Sequence, residues 1–590
     1  MKKWMVASKR ADFDAIAAKY NIDKVIARII RNRDVVTDGD IDIFLNGTLR
    51  DLHDPALLKD MDKAVAVIKK AIDEGVRIRV MGDFDVDGIC ATFILYRGLS
   101  ALGAQVDTDI PDRIRDGYGI NDNMVKRAGE DNTGLIITCD NGIAAKAQID
   151  LATSLGIEVV ITDHHEVPYD IVDDKRVYIL PEACAVVDPK RDDCPYPFKA
   201  ICGAVVAYKL MQSLLDDSVV SQKEALDEML PFAALATVCD IMELKDENRI
   251  IVKYGLDAMQ NTANQGLKAL LGVNELTGKK IGTYHAGFIL GPCINSTGRL
   301  DSAKRALELF TKDKYEDAAM IARELKELNA SRKLMTEEGA RQAVEAIENS
   351  NIKNDRVMVV YMENTHESLA GIIAGRLRER YNRPVFVVTK SEEGVKGSGR
   401  SIESYDMYGA LTRVKDLFVR FGGHRMAAGI TLQSVDKLYE MRRRLNEDCI
   451  LTDDDLTAKI HIDVPMPLSY ISEELIEGLG VLEPFGAGNP KPVFATANIS
   501  LISYDKLGKN KNVGKFRIKD ETGRNYDMIY FGDLDELEGF LADKYDSTIP
   551  DLLSKRQVEP GRVMLDIVYY PQINEYGNNR SIQIVMDEYR

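Results

Sequence analysis

Three short apolar runs, each closed by acidic residues, constrain this chain more than any other feature. RIRVM (77–81) leads into Asp83-Phe84-Asp85-Val86-Asp87, LIITC (135–139) into Asp140-Asn141-Gly142, and EVVIT (158–162) into Asp163-His164-His165. Apolar runs of this length read as buried strands. In a parallel α/β sheet the carboxyl ends of strands open into a crevice where ligands bind, so acid-tipped strands converge on one site.

Carboxylate oxygens suit hard divalent cations such as magnesium or manganese, and an imidazole shifts the preference toward manganese. Asp83, Asp85, Asp87 and Asp140 in one pocket repel each other strongly, and cations remove that cost. A solvated turn or a helix entrance accounts for any one cluster alone. Three clusters at successive strand ends favour a metal site.

The chain has 590 residues, enough for several domains, with 45% hydrophobic and 29% charged residues. No apolar run approaches the roughly 18 residues of a membrane span, and the first residues lack the apolar stretch of a signal peptide, so no membrane association is expected. Eight cysteines without a CxxC pair suit a reducing cytoplasm. The net charge of −17 argues at first against a nucleic-acid partner. Local charge matters more than the sum, and KLGKNKNVGKFRIK (506–519) carries six basic residues and no acid. That run is expected to form a strand pair facing nucleic acid.

Residues 1–60 read as a helical region without a chemical motif. From 61 to 300 strand-like and helical runs alternate, predicting a doubly wound α/β domain with the metal site. Connecting helices occupy 301–354, where residues 313–349 lack Pro and predict one long exposed helix, interrupted at most briefly near Asn329. A second, smaller α/β domain spans 355–455, with Gly-rich KGSGRS (396–401) and FGGHRMAAG (421–429) expected as tight turns where backbone N–H groups approach an anion. Short strands such as KIHIDV, KFRIK, VMLDIVYY and SIQIVM in 456–590 predict a five-stranded barrel of the oligonucleotide-binding kind.

The order DFDVDG, DNG, DHH and then Asp240 in ATVCDIMEL resembles the DHH phosphoesterase superfamily. Downstream, GPCINSTGRL (291–300), KGSGRS, FGGHRMAAG and EPFGAGNPKPVF (483–494) resemble the RecJ family of single-strand DNA exonucleases, the likeness spanning roughly residues 55–590. The resemblance implies a DHH domain, a DHH-associated domain and an OB-fold barrel. It also implies 5′ to 3′ hydrolysis of single-stranded DNA to 5′-mononucleotides in recombination and repair. By the same resemblance Asp85 and Asp140, with Asp83 nearby, hold one divalent ion, and Asp87, Asp140, His164 and Asp240 hold the other, either manganese or magnesium. Two such ions activate water and stabilise both oxygens of an in-line displacement.

His165, one position past a ligand, is then placed to contact the phosphate or a proton in transit, and Asp163 to orient an imidazole. The resemblance puts Arg113, Ser398 and Arg400 in a 5′-phosphate pocket, and Asn295, Arg299 and His424 near the strand; Tyr118 is expected to stack on a base. Cys293 stands where an Arg is common, and Ser296-Thr297 where two alanines are common, which removes an expected phosphate contact. A helicase and a single-strand-binding protein are the implied suppliers of substrate, and the absence of a heptad seam points to a monomer. A DHH phosphodiesterase acting on short oligonucleotides or cyclic dinucleotides is the alternative, though such enzymes typically need no barrel. A catalytically dead scaffold would have lost ligands that are all present here.

Overall fold

The computed structural model describes residues 2–112, 116–173, 175–216, 218–300, 302–391, 394–576 and 579–590. The chain divides into two compact units, one of residues 48–456 and one joining 1–47 to 457–590.

In the larger unit the apolar runs form strands β1 (Ile78–Met81), β3 (Leu135–Cys139) and β4 (Glu158–Thr162), joined by β2 (Val106–Asp109) and β5 (Ala185–Val187). The sheet order is β2-β1-β3-β4-β5 and every pairing is parallel. All residues of β1 and β3 are buried, which is why these strands are mostly apolar rather than alternating, with Arg79 of β1 paired to Asp107 and Asp131. Helix α1 (Val86–Ala101) is likewise buried nearly all round, packing with α2 (Gly203–Leu214) and α3 (Val220–Cys239) into one core. Phe93, Phe232 and Phe310 meet at its centre, with ring centroids of Phe93 and Phe232 4.2 Å apart.

Beyond α4 (Gly291–Leu300) runs the long helix expected here, α5 (Tyr315–Glu348), 34 residues with no break at Asn329. Nor is it exposed throughout. Ala318, Ile321, Ala322 and Leu325 sit in the first domain's core, whereas Ala343 and Ile347 sit in a core of the second. The helix therefore joins the two α/β domains by being built into both.

The second domain has strands β6 (Met358–Tyr361), β7 (Val385–Ser391), β8 (Gly394–Arg400), β9 (Phe418–His424) and β10 (Ala427–Leu432) in the order β9-β10-β8-β7-β6. Only β6 and β7 are parallel, with α6 (Ala370–Tyr381) crossing between them. KGSGRS is not a turn: most of it lies in β8. Its glycines serve packing, since a Cβ at Gly399 would stand 2.6 Å from the Phe386 ring and one at Gly397 2.9 Å from Val388. FGGHRMAAG forms the adjoining ends of β9 and β10, with the turn confined to Arg425-Met426.

The smaller unit contains a barrel of β11 (Phe494–Leu507), β12 (Val513–Lys519), β13 (Asn525–Tyr530), β14 (Met564–Tyr576) and β15 (Asn579–Tyr589), closed by pairing of β11 with β14. KIHI, expected within the barrel, instead pairs in parallel with Lys3–Val6. The helix Lys24–Asn32 buries Val25, Ile26, Ile29 and Ile30 in the same core as Leu475, Phe494 and Ile567. Arg33 grips Asp463 with both arms of its guanidinium, at 2.6 and 2.9 Å, where both side chains are buried. Much of the basic run is neutralised locally, Lys506 by Glu538, and Lys515 and Arg517 by Asp527. Among the described residues no helix is long and apolar enough to cross a membrane.

Candidate active site

Every acidic motif sits at the carboxyl edge of the first sheet. Asp85 caps α1, accepting from Gly88 N at 3.0 Å, and Asp83 accepts from Gly119 N at 3.1 Å. Asp87, in the first turn of α1, faces the start of α2 and accepts from Gly203 N (2.7 Å) and Ala204 N (2.8 Å). A helix N-terminus so directed favours a carboxylate. Asp140, the first residue after β3, adopts a left-handed conformation with φ 59°. Asp240 caps the end of α3.

These residues assemble into three overlapping groups whose ligand atoms lie within 4.8 Å of one another: Asp83, Asp85 and Asp140; Asp87, His164 and Asp240; and Asp140, His164 and His165. Nε2 of His164 is 3.0 Å from Asp140, 3.5 Å from Asp87 and 3.9 Å from Asp240. Burial, with repulsion from Asp87, Asp85 and Asp83, holds the Asp140 carboxyl well above the ordinary range, and burial and Asp87 also raise Asp85. Asp240 is pushed up to about 8 by burial and by Asp87. Burial lowers His164, which favours the neutral, ligating form of the ring. Asp140 Oδ1 is buried and accepts no hydrogen bond among the described residues, with His164 Nε2 as a neighbour at 3.0 Å. An acid cluster with an unsatisfied inward-facing oxygen and a neutral imidazole fits divalent cations, whose charge offsets the repulsion.

Asp163 Oδ1 accepts from the backbone N of His164 (2.8 Å) and His165 (3.2 Å) and is 2.8 Å from His165 Nδ1, while Oδ2 accepts from Ile143 N at 2.9 Å. Burial alone would raise the Asp163 carboxyl, but the His165 hydrogen bond and charge outweigh it and the net direction is downward. Burial disfavours the charged His165 ring, yet Asp163 prevails and raises it to about 9. Tyr118 donates to Asp140 O at 2.8 Å and its hydroxyl lies 3.0 Å from His165 Nε2. Its ring is 56% exposed and stands edge-on to Phe84 and His165.

Helix α4 links this centre to a second one. A Cβ at Gly298 would lie 2.9 Å from Phe84 O, so glycine lets α4 press against the acidic loop. The next residue, Arg299, donates to Ser368 O at 2.5 Å. Arg299 and Ser368 line a cavity of about 510 Å³ together with Lys396, Ser398, Arg400 and Arg420. Arg400 donates to Ser398 Oγ at 3.2 Å, and Lys396 lies 3.3 Å from Glu367, the one acid in the lining among the described residues. Four cations against one carboxylate make a site for an anion.

Comparison with known proteins bears on what such a pair of centres belongs to. Residues 77–237 match the model of the DHH family, N-terminal domain, residues 354–450 that of the DHHA1 domain, and residues 462–588 that of the RecJ OB domain. The single-stranded-DNA-specific exonuclease RecJ of Bacillus subtilis is 34% identical over 600 residues, covering 99% of this chain and 71% of the relative. That of Escherichia coli is 32% identical, with 90% of each chain covered. The chain belongs to the RecJ family. The crystal structure of RecJ in complex with Mn2+ from Thermus thermophilus superposes with a TM-score of 0.79 at 26% identity, covering all of this chain and 79% of that one.

Of the positions expected from RecJ, Ser398, Arg400 and Arg299 line the anion cavity, while Arg113 lies outside the described residues. His424 ends β9, its ring 3.2 Å from Met426 N, outside the cavity lining. Asn295 is half-buried in α4. Cys293 is buried in the same helix, where its sulfur accepts from Asn329 Nδ2 at 3.5 Å, so it offers nothing to a phosphate. Asn329 Oδ1 in turn holds Arg332, at 3.1 Å from Nε and 2.9 Å from Nη2. Arg420 and Lys396 are not among the residues expected from sequence. Lys396 and Ser398 alternate along β8, a period-two signal that reading KGSGRS as a turn conceals.

Proposed function

We propose that this protein is an exonuclease that digests single-stranded DNA from its 5′ end, releasing 5′-mononucleotides. Two divalent cations, manganese or magnesium, would be held by Asp83, Asp85 and Asp140 and by Asp87, His164 and Asp240, with Asp140 between them. Such ions lower the pKa of water and stabilise charge on the attacking and leaving oxygens. The observation that carries this reading is the acid–imidazole centre coupled through α4 to a cationic cavity, in a chain of the RecJ family.

The residues divide the work. Asp83, Asp85, Asp87, Asp140, His164 and Asp240 concentrate negative charge where cations are needed. His165, whose charged form Asp163 favours, donates toward a phosphate oxygen. Ser398, Arg400 and Arg420 anchor a terminal 5′-phosphate, and Arg299 stands between the two centres. Binding that phosphate fixes how far the strand reaches and sets the polarity. The barrel holds the incoming single strand, which a helicase and a single-strand-binding protein supply to the monomeric enzyme in the cytoplasm.

The test is digestion of single-stranded DNA labelled at either end, with or without a 5′-phosphate, in manganese, magnesium or chelator. Immediate release of labelled mononucleotide only from the 5′ end, dependent on metal and abolished in Asp140→Ala, is the expected result. Turnover of dinucleotides but not of long strands, or equal digestion of blunt duplex, would overturn the DNA assignment.

A further inference from the structure

Strands β4 and β5 are in parallel register, with Thr162 opposite Val187, and Asp163 N donates to Val187 O at 3.0 Å. Past the strand ends, Asp163-His164-His165 therefore runs beside Asp188-Pro189-Lys190. The second of these segments borders the acid–imidazole centre without belonging to its ligand set.

Its backbone is held firmly. Lys190 N donates to Asp188 Oδ1 at 2.7 Å. The next residue, Arg191, is 7% exposed and reaches Val186 O (2.6 Å), Asp60 (2.7 Å) and Asp193 (2.9 and 2.8 Å). The clamp fixes where the Lys190 side chain begins while leaving its flexible stem free to reach. That side chain is 27% exposed, and its ammonium lies 3.3 Å from Glu166, the residue following His165. Glu166 is 86% exposed, and exposed ion pairs contribute about 0–1 kcal/mol, so a phosphate displaces it readily. The positive charge of Lys190 also disfavours protonation of Asp240 and of His164. A negatively charged strand must approach a centre built from acids, and a cation on a rigid rim beside that centre lowers the electrostatic barrier.

We propose that Lys190 is a substrate-contacting residue of this site, its ammonium leaving Glu166 to bind a non-bridging oxygen of the scissile phosphodiester. The inference rests on the exonuclease reading above.

Lys190→Ala, Lys190→Arg and Glu166→Gln would be compared with the unaltered protein on a 5′-phosphorylated oligonucleotide at saturating manganese. Loss of one preorganised donor predicts a fall in kcat of about 100-fold for Lys190→Ala, with most of the rate retained in Lys190→Arg and Glu166→Gln. The manganese-induced rise in Tm should be unchanged in all three. Replacing one non-bridging oxygen of the terminal linkage by sulfur should slow the unaltered protein more than Lys190→Ala, for the stereoisomer that faces the ammonium. Unaltered turnover in Lys190→Ala would overturn the proposal, as would loss of the manganese response in that variant, which would assign Lys190 to the metal centre's integrity. Failure of the unaltered protein to digest the oligonucleotide would instead overturn the underlying exonuclease reading.

Discussion

Asp140 combines a left-handed backbone with a carboxyl that Gly203, having no side chain, makes room for. A Cβ at Gly203 would lie 2.7 Å from Asp140 Cβ and 2.9 Å from its Cα, and Gly203 N is also a donor to Asp87. Gly203→Ala should therefore displace two of the proposed ligands, lowering manganese affinity at least roughly 10-fold while destabilising the fold by about 1–3 kcal/mol; isothermal titration beside thermal unfolding separates the two effects. The raised carboxyls carry a pH signature. Asp240, at about 8, and Asp140 bind protons more tightly folded than unfolded. Their contribution to metal-free stability is complete below the ordinary carboxyl range and declines as pH rises above it, that of Asp240 being gone beyond about 8. Cations take the deprotonated form and reverse the loss. Melting in chelator should show these groups lowering Tm from about pH 5 to about pH 8, with a manganese increment larger at pH 8.5 than at 6.5. An increment independent of pH would count against these groups as ligands.

At the scale of elements, what can be read from the sequence divides by the range of the interaction. The strand ends that bear Asp83, Asp140 and Asp163 are legible because burial on both faces writes itself into a short apolar run. The glycines of β8 mislead because glycine is equally the residue of turns and of close strand packing, and only the side chains that face them, such as Phe386 at Gly399 and Val388 at Gly397, distinguish the two. Reading them as a turn hides Lys396, one of the anion cavity's four cations. Gly399→Ala should destabilise the second domain by about 1–3 kcal/mol through overpacking against Phe386. Chemical denaturation followed in that domain would detect it, and an unchanged midpoint would mean the sheet can relax. The pairing of KIHI with Lys3–Val6 is illegible for a different reason: Lys3 pairs with Lys459, and no local pattern names so distant a strand.

At the scale of the whole molecule, the smaller unit is assembled from both ends of the sequence. The contacts that tie residues 1–47 to the barrel include the buried Arg33–Asp463 pair. Truncating Arg33 to Ala leaves a buried carboxylate without its partner and should cost about 3–5 kcal/mol, measurable as earlier unfolding of this unit in denaturant. Deleting residues 1–47 strips the cover from the apolar face that Val25, Ile29 and Ile30 bury. The remaining barrel should bind an exposed-hydrophobe dye and aggregate, whereas a circular permutant linking residue 590 to residue 2 should not.

A discontinuous unit also has a history in time. Residues 1–47 leave the ribosome well before the strands they pack against, which are made only after about 410 further residues, at roughly 5–20 residues per second about 20–80 seconds later. Throughout that interval the apolar face of the helix Lys24–Asn32 has its neighbours within residues 1–47 but lacks the residues after 456 that share its core. A nascent chain that stalls within the intervening unit therefore displays a greasy handle upstream of it, recognisable to chaperones and proteases, and only a chain translated through the barrel strands conceals it.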